Sequence, residues 1–430
     1  MMNIKKVLIL NLVLICCQAT LAQKPEIKAA DVSRIIKTLS ADDMYGRSAL
    51  KPKVIAKAAD FIANEFKQAG LKYFDGANSY RQNFELSRSK FTGGKLQING
   101  EEVNPQNYVL SSTAKEVNWT RLPKTEMIGK DANFLAKFQS ITQTPGDLIV
   151  MVDPSLSDLF KRVKAYLNRG TSSIDGKKLG SKLFVLGNQE PKSINAHFTH
   201  EISTVPLFNV VGVLPGKSKP NEYVVFSGHY DHLGIIKPVN QDSIANGADD
   251  DASGTTAVIE LAKYFAQKKN NERTLIFVAF TAEEIGEYGS QYFAKQVNPD
   301  EVVAMFNIEM IGKDSKFGKN NAFITGYERS DFGKILQKNL EGTDFKFYPD
   351  PYPKQNLFYR SDNASLARVG VPAHTISSDQ IDSDKLYHSV DDEFETMDIS
   401  NITEIIKAIA ISSTSIVEGK DTPTRVTGVQ

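Results

Sequence analysis

Cysteine is nearly missing from this chain. The two in 430 residues, Cys16 and Cys17, both lie in its opening stretch. The rest of the sequence therefore offers no disulfide, no thiol nucleophile and no thiolate ligand for a metal. An excess of one charge sign is missing too: Lys plus Arg is 51 and Asp plus Glu is 51, so the formal net charge is zero. That balance removes the electrostatic case for a nucleic-acid binder or a membrane-surface protein. No internal apolar run approaches the length of a membrane span. Glycine (28) and proline (17) show no collagen-like or linker-like bias. What is present is an ordinary globular composition, 41% hydrophobic and 24% charged. The length is about three times that of a typical domain, so more than one domain is expected.

The first residues carry a recognisable address. Lys5 and Lys6 precede an apolar run from 7 to 17 interrupted only by Asn11, and Thr20-Leu21-Ala22 sets small residues before Gln23. This is the pattern of an export signal over 1–22, which places the mature protein in the periplasm or outside the cell. A lipid anchor on Cys17 is the second reading, because Cys16 is a poor residue just before such a site. The run is short for an uncleaved anchor.

From 23 to 84 the periodicity is helical, with stripes at Ile35, Ile36 and Leu39 and at Ile55, Ala58, Ala59, Ile62, Phe66 and Ala69, the second closed by Gly70. From 85 to 205 the texture turns β-rich. Leu96 to Ile98 followed by Asn99-Gly100 predicts a hairpin, and 148–152 and 183–186 predict strands flanking a helix at 156–167. This segment is expected to be an inserted domain. From 206 to 430 strands at 223–227, 275–280, 302–308 and 372–376 alternate with helices at 254–268, 331–340 and 399–416. Such alternation predicts an α/β fold: a largely parallel sheet covered on both faces, with its site beyond the carboxyl ends of the strands.

Five motifs carry potential chemistry. Gly228-His229-Tyr230-Asp231-His232 follows the first of these strands, and a histidine with a carboxylate two residues on suits a metal ligand held in place by its neighbour. Asn246 to Gly254 holds three adjacent acids, Asp249, Asp250 and Asp251, whose mutual repulsion a cation would relieve. Glu283 and Glu284 follow a strongly apolar strand, where one could bind metal and the other act as general base. Glu309 ends another apolar strand. His388 follows Tyr387 in a polar loop and precedes Asp391 and Asp392. Singly, each has an ordinary structural explanation. Jointly, all lie at carboxyl ends of strands or in loops on that side. Two histidines and three carboxylates without thiolate suit a pair of borderline divalent ions sharing one carboxylate. Zinc is the first choice, with manganese or cobalt as substitutes.

The motifs GHYDHLG, GADDDASG, AEEIGEYGS, NIEMIG and YHSVDD, in this order, resemble those of the co-catalytic zinc exopeptidases of metallopeptidase family 28. The resemblance covers about 209–416 and the N-terminal helices. It implies a three-layer α/β/α fold with a mixed, mostly parallel sheet, and an inserted protease-associated domain like that expected at 85–205. It implies two zinc ions per chain, peptide substrates and no nucleic-acid or membrane-spanning role; it sets no oligomeric state. By motif, His229 and Glu309 would bind one zinc, Glu284 and His388 the other, and Asp250 both. Asp231 would orient His229, Glu283 would be the general base, and a cis peptide would follow Asp250. Asp391 or Asp392 would support His388, and Asp249 matches no ligand position. Two positions depart from the family pattern: Glu309 stands where aspartate is usual, and Ser361-Asp362-Asn363 replaces Ser-Asp-His near the substrate pocket. The activity implied is that of an exopeptidase, first an aminopeptidase. Glutaminyl cyclase-like, glutamate carboxypeptidase-like and non-catalytic binding relatives are the alternatives. His197, His200, His232 and His374 are given structural roles.

Overall fold

Four parallel strands form the centre of the sheet, in the order Ala373–Ser377, Val302–Ile308, Lys219–His229, Arg273–Phe280. Their near-continuous apolar sequence reflects burial on both faces, and every residue of Arg273–Phe280 is buried. The computed structural model describes residues 25–74, 76–174 and 179–427, and the export segment expected at 1–22 lies outside them. Asn321–Ile324 extends one side of the sheet antiparallel to Ala373–Ser377, with Lys346–Pro349 beyond it. Ile194–Leu214 extends the other side antiparallel to Arg273–Phe280 and pairs along its length with Arg81–Ile98.

Successive side chains of the central strands enter opposite layers. Val224 and Phe226 join a core with helices Ala29–Leu39, Pro52–Gln68, Gly254–Lys268 and Ile399–Ser412. Val225 faces the other layer with Phe293 and Leu366, from helices Tyr288–Ala294 and Asn363–Ala367. Phe226 stacks between Phe277 and Phe306 at ring separations of 5.4 and 4.9 Å, tying three neighbouring strands. The architecture is an α/β/α sandwich with a mixed sheet whose centre is parallel. The last expected helix is interrupted at Ser413, giving Ile399–Ser412 and Thr414–Val417.

A second sheet of Tyr108–Ser111, Lys182–Leu186, Leu148–Val152 and Lys124–Ile128 lies between those two flanking strands in sequence. One of its faces packs on helices Phe134–Gln143 and Ser157–Leu167 through Val150, Val152 and Phe184. The other packs through Ile149, Met151 and Val185 on Leu96, Trp119 and Phe198. The expected hairpin is present, with Ile98 paired to Glu101 and left-handed Asn99 (φ 55°) and Gly100 (φ 85°) at the turn. Sequence reasoning did not foresee the lengths of Arg81–Ile98 and Ile194–Leu214, 18 and 21 residues. Glu201 to Thr204 are all exposed and show no alternation, so nothing in the pattern marks that stretch as strand. The expected segment limits at 84/85 and 205/206 fall inside these two strands.

Candidate metal centre

Because the central strands are parallel, their carboxyl ends meet at one edge. His229 is the last residue of Lys219–His229 and pairs with Phe280, the last of Arg273–Phe280. Glu283 and Glu284 stand just beyond Phe280, and Glu309 follows Ile308 directly. Left-handed backbone at Ala282 (φ 60°), Met310 (φ 49°) and His388 (φ 57°) marks sharp turns beside all three acids and at the second histidine. Asp250 lies in the irregular turn Ala248–Ser253 that leads into helix Gly254–Lys268, and the peptide bond between Asp250 and Asp251 is cis.

These turns bring the residues into one group, with His229 and Asp250 buried, Glu283, Glu284 and Glu309 partly buried, and His388 at the solvent side. Oδ1 of Asp250 lies 3.1 Å from Nε2 of His229, while its Oδ2 lies 3.3 Å from Nε2 of His388. The same His388 nitrogen is 3.1 Å from Oε2 of Glu284. Ligands at 2.0–2.1 Å around a tetrahedral ion stand about 3.3 Å apart. These spacings therefore fit donors that share an ion, with the two Asp250 oxygens facing two different histidines. Nε2 of His229 and Oε2 of Glu309 are buried without a hydrogen-bond partner, as are Nε2 of His232 and both carboxylate oxygens of Asp362. Glu283 approaches from the side, with Oε2 at 3.9 Å from Nε2 of His229.

The surrounding residues work through the backbone. Nδ1 of His229 faces the carbonyl oxygen of Asp231 at 3.1 Å, whereas the Asp231 carboxylate stands 3.9 Å away. That carboxylate instead accepts the Glu283 N–H at 3.1 Å, so its contact fixes the Glu283 turn rather than the imidazole. Asp392 likewise does not reach His388: its oxygens accept the N–H groups of Asp249 (2.9 Å) and Asp250 (3.0 Å). Asp251 accepts three, from His229, Gly254 and Met310. The guanidinium of Arg47, fully buried, donates to five carbonyls, those of Leu39, Tyr230, Asn246, Gly247 and Asp250. Asp249 has its cation already. Lys313 lies 3.2 Å from it and 2.6 Å from Asp384, which accounts for the second acidic group formed with Asp379.

His232, given a structural role from sequence, belongs to the site. Its Nδ1 lies 2.6 Å from Oε1 of Glu284 and 3.8 Å from Oδ2 of Asp250. The other histidines keep their structural roles. His374 makes 2.8 and 2.7 Å hydrogen bonds with the Thr325 carbonyl and Ser330 Oγ, and His197 meets Glu116 at the surface. His200 is buried against Phe91.

Burial opposes charge on every carboxylate here, and the outcome differs by neighbour. At Asp250 the surrounding His232, His229 and His388 overcome burial and hold the carboxyl well below its ordinary range. At Glu283 burial prevails, reinforced by Glu309, Asp362 and Glu284 against the pull of His229, and the carboxyl is pushed well up. Burial also raises Glu309 to about 7. His388 is lifted to about 10, since Asp250 and Glu284 outweigh its burial. The same carboxylates raise His229 well above its ordinary range against its burial, Glu283 and Asp250 foremost.

A cavity of about 60 Å³ opens beside Glu309, walled by Met310, Phe323, Leu357 and Ile381, with Arg360 and Tyr387 among its other lining residues. Ser361 of the departed Ser-Asp-His element also lines it. Asn363, in the histidine's place, bonds to Phe358, Ala373 and Thr375 and serves the framework.

Residues 209–412, which include every candidate ligand, match Peptidase family M28. Leucine aminopeptidase 1 of the fungus Paracoccidioides brasiliensis (strain Pb03) is 30% identical over 359 residues, covering 80% of this chain and 81% of that protein. A zinc aminopeptidase from Bacillus subtilis superposes with a TM-score of 0.55 at 15% identity, over 95% of this chain and all of the other. An aminopeptidase from Aneurinibacillus sp. strain AM-1 gives 0.53 at 18%, over 94% and 96%. The two structures share the fold; the matched segment and the relative aligned along most of its length assign the lineage. The chain belongs to peptidase family M28.

Proposed function

We propose that the protein is a zinc-dependent aminopeptidase with two co-catalytic ions, exported to the periplasm or beyond the cell. The observation that carries this reading is the split of Asp250, whose two oxygens face His229 and His388 separately. His229 and Glu309 would hold one ion, Glu284 and His388 the other, and Asp250 both. Zinc, when bound, supplies Lewis-acid polarisation of the scissile carbonyl and acidification of the attacking water. Glu283, with a carboxyl made basic by burial, takes the proton of that water and passes it to the departing nitrogen. Asp231 holds the Glu283 backbone through its N–H. The apolar walls beside Glu309 offer room for a substrate side chain, and the names of the relatives support action at the amino end. The β-rich segment 85–205 is read as an inserted domain. Among the described residues no helix is long and apolar enough to cross a membrane, which suits export behind a signal cleaved before Gln23.

The test is a panel of aminoacyl and N-blocked peptides, with metal counted on the same preparation. Hydrolysis confined to free α-amines at two zinc ions per chain is the expected result. Activity on N-blocked substrates, or a single ion with cyclisation of N-terminal glutamine, would replace the reading. N-terminal sequencing of exported protein should begin at Gln23 or find it blocked; a diacylglycerol on Cys17 would show a lipoprotein instead.

A further inference from the structure

His232 is a buried imidazole that the reaction scheme leaves without a task. It is 2% exposed and sits three residues beyond the strand that ends in His229. Its backbone N–H donates to the Arg47 carbonyl at 3.2 Å. Its ring lies against Gly247, where an added Cβ would come within 2.6 Å of the imidazole. Gly247 has a left-handed φ of 60°. Nε2 is buried with no hydrogen-bond partner, so the ring's one hydrogen bond among the described residues is through Nδ1, whose next polar neighbour is Oδ2 of Asp250 at 3.8 Å. That hydrogen bond, 2.6 Å to Oε1 of Glu284, is short and charge-assisted. It is too short for two ligands of one zinc, which stand about 3.3 Å apart. The three contacts at Asp250, His388 and Glu284 Oε2 fall at 3.1–3.3 Å, so His232 differs from the ligand set in its spacing.

We propose that His232 is a positioning residue for Glu284: its Nδ1–H occupies Oε1 and leaves Oε2 as the single oxygen that the second ion shares with His388 and Asp250. A carboxylate with both oxygens free could swing or bind through either one. Fixing one oxygen removes that freedom before the ion arrives, and hydrogen bonds to ligands of this kind typically sustain 10- to 100-fold of metal affinity. The proposal rests on the reading of Glu284 as a ligand of the second ion.

The discriminating pair is His232→Asn and His232→Gln. The asparagine amide can place an N–H where Nδ1 stands, whereas the glutamine amide reaches the position of Nε2 instead. Zinc affinity of the full-length protein is measured by chelator competition, with His232→Ala and Glu284→Ala alongside. The expected result is that Ala and Gln weaken one of two ions by about 10- to 100-fold, spare the other, and that Asn restores binding to within a few-fold. Unchanged affinity in His232→Ala would overturn the proposal. So would an Asn variant as weak as Ala, which would make the imidazole itself a ligand. If Glu284→Ala retains both ions, the ligand assignment beneath the proposal fails. If Glu284→Ala loses one ion while His232→Ala and His232→Gln lose none, the positioning role alone fails.

Discussion

Nη2 of Arg47 donates to the carbonyl of Asp250 at 3.3 Å, across 203 residues of chain. The same guanidinium holds Tyr230, Asn246 and Gly247, so an arginine from the N-terminal segment ties together the two loops that carry His229 and Asp250. Burial acts to lower its pKa, and the nearby charges of Asp250, Asp392, Asp231 and Asp251 act to keep it protonated.

Replacing Arg47 should therefore damage both fold and metal binding. Arg47→Met leaves five buried carbonyls short of a donor, and each such group costs about 1–3 kcal/mol if it finds no water. A loss of at least about 3 kcal/mol is expected in urea unfolding of the metal-free protein, with weaker retention of both ions. Arg47→Lys should rescue little, because one ammonium cannot span carbonyls that surround a planar fork. Stability within 1 kcal/mol of the parent in either variant would show that the loops are set by other contacts.

The metal assignments separate by stoichiometry. Asp250→Ala removes the carboxylate that faces both histidines and should lose both ions on dialysis. His388→Ala removes one donor from the Glu284 side and should weaken mainly one. Metal analysis of the dialysed variants reads the difference. Two zincs retained by Asp250→Ala would shift the bridging role to Asp249 or Asp251. Either would have to give up existing partners: Asp251 accepts three backbone N–H groups, and Asp249 accepts the Gly312 N–H and faces Lys313.

His374 gives a pH signature away from the metals. Burial pushes its imidazole down to about 4 from an ordinary 6.5. Between those values the unfolded chain binds a proton that the folded chain does not, so stability is full above pH 6.5 and declines as pH falls toward 4. The decline amounts to about 3 kcal/mol. His374→Asn keeps a donor for the Thr325 carbonyl and removes the titration. The parent's advantage over this variant should shrink as pH falls from 6.5 to 4, in unfolding free energies measured at matched denaturant series. An advantage constant across that range would mean that the ring is protonated, or solvated, in the native state.

The parts of the site that were legible in sequence share one property. Charged residues at the ends of strands as apolar as Arg273–Phe280 and Val302–Ile308 conflict with their surroundings, and the conflict points to a ligand. Arg47 carried no such signal, because its partners are main-chain carbonyls that every residue possesses. His232 was obscured by Asp231. The orienting task was assigned to the carboxylate, and only the turn geometry reveals that Asp231 reaches Glu283 while His232 reaches Glu284. Of the two acids expected near His388, Asp391 or Asp392, Asp392 accepts the N–H groups of Asp249 and Asp250 instead, and spacing alone does not reveal such backbone partners.

Glu283 offers the sharpest separation of chemistry from binding. It adjoins Glu284 in sequence, yet its oxygen stands 3.9 Å from Nε2 of His229, beyond the spacing of the ligand pairs. Its backbone is fixed by Asp231, and burial makes its carboxyl a stronger base than an exposed glutamate. Glu283→Gln preserves size and hydrogen bonding while removing the basic oxygen. Both ions should remain bound, and the thermal midpoint of the metal-loaded protein should stay close to the parent's. Turnover should fall by roughly 10²–10⁴, the usual contribution of a positioned general base. KM should change little, because the carboxylate is needed when the proton moves rather than when the peptide binds. The measurement is kcat at full zinc occupancy, verified on the assayed sample. A fall in kcat that is recovered by adding zinc would make Glu283 a ligand. Turnover near that of the parent would remove it from the reaction and leave the attacking water without an acceptor for its proton.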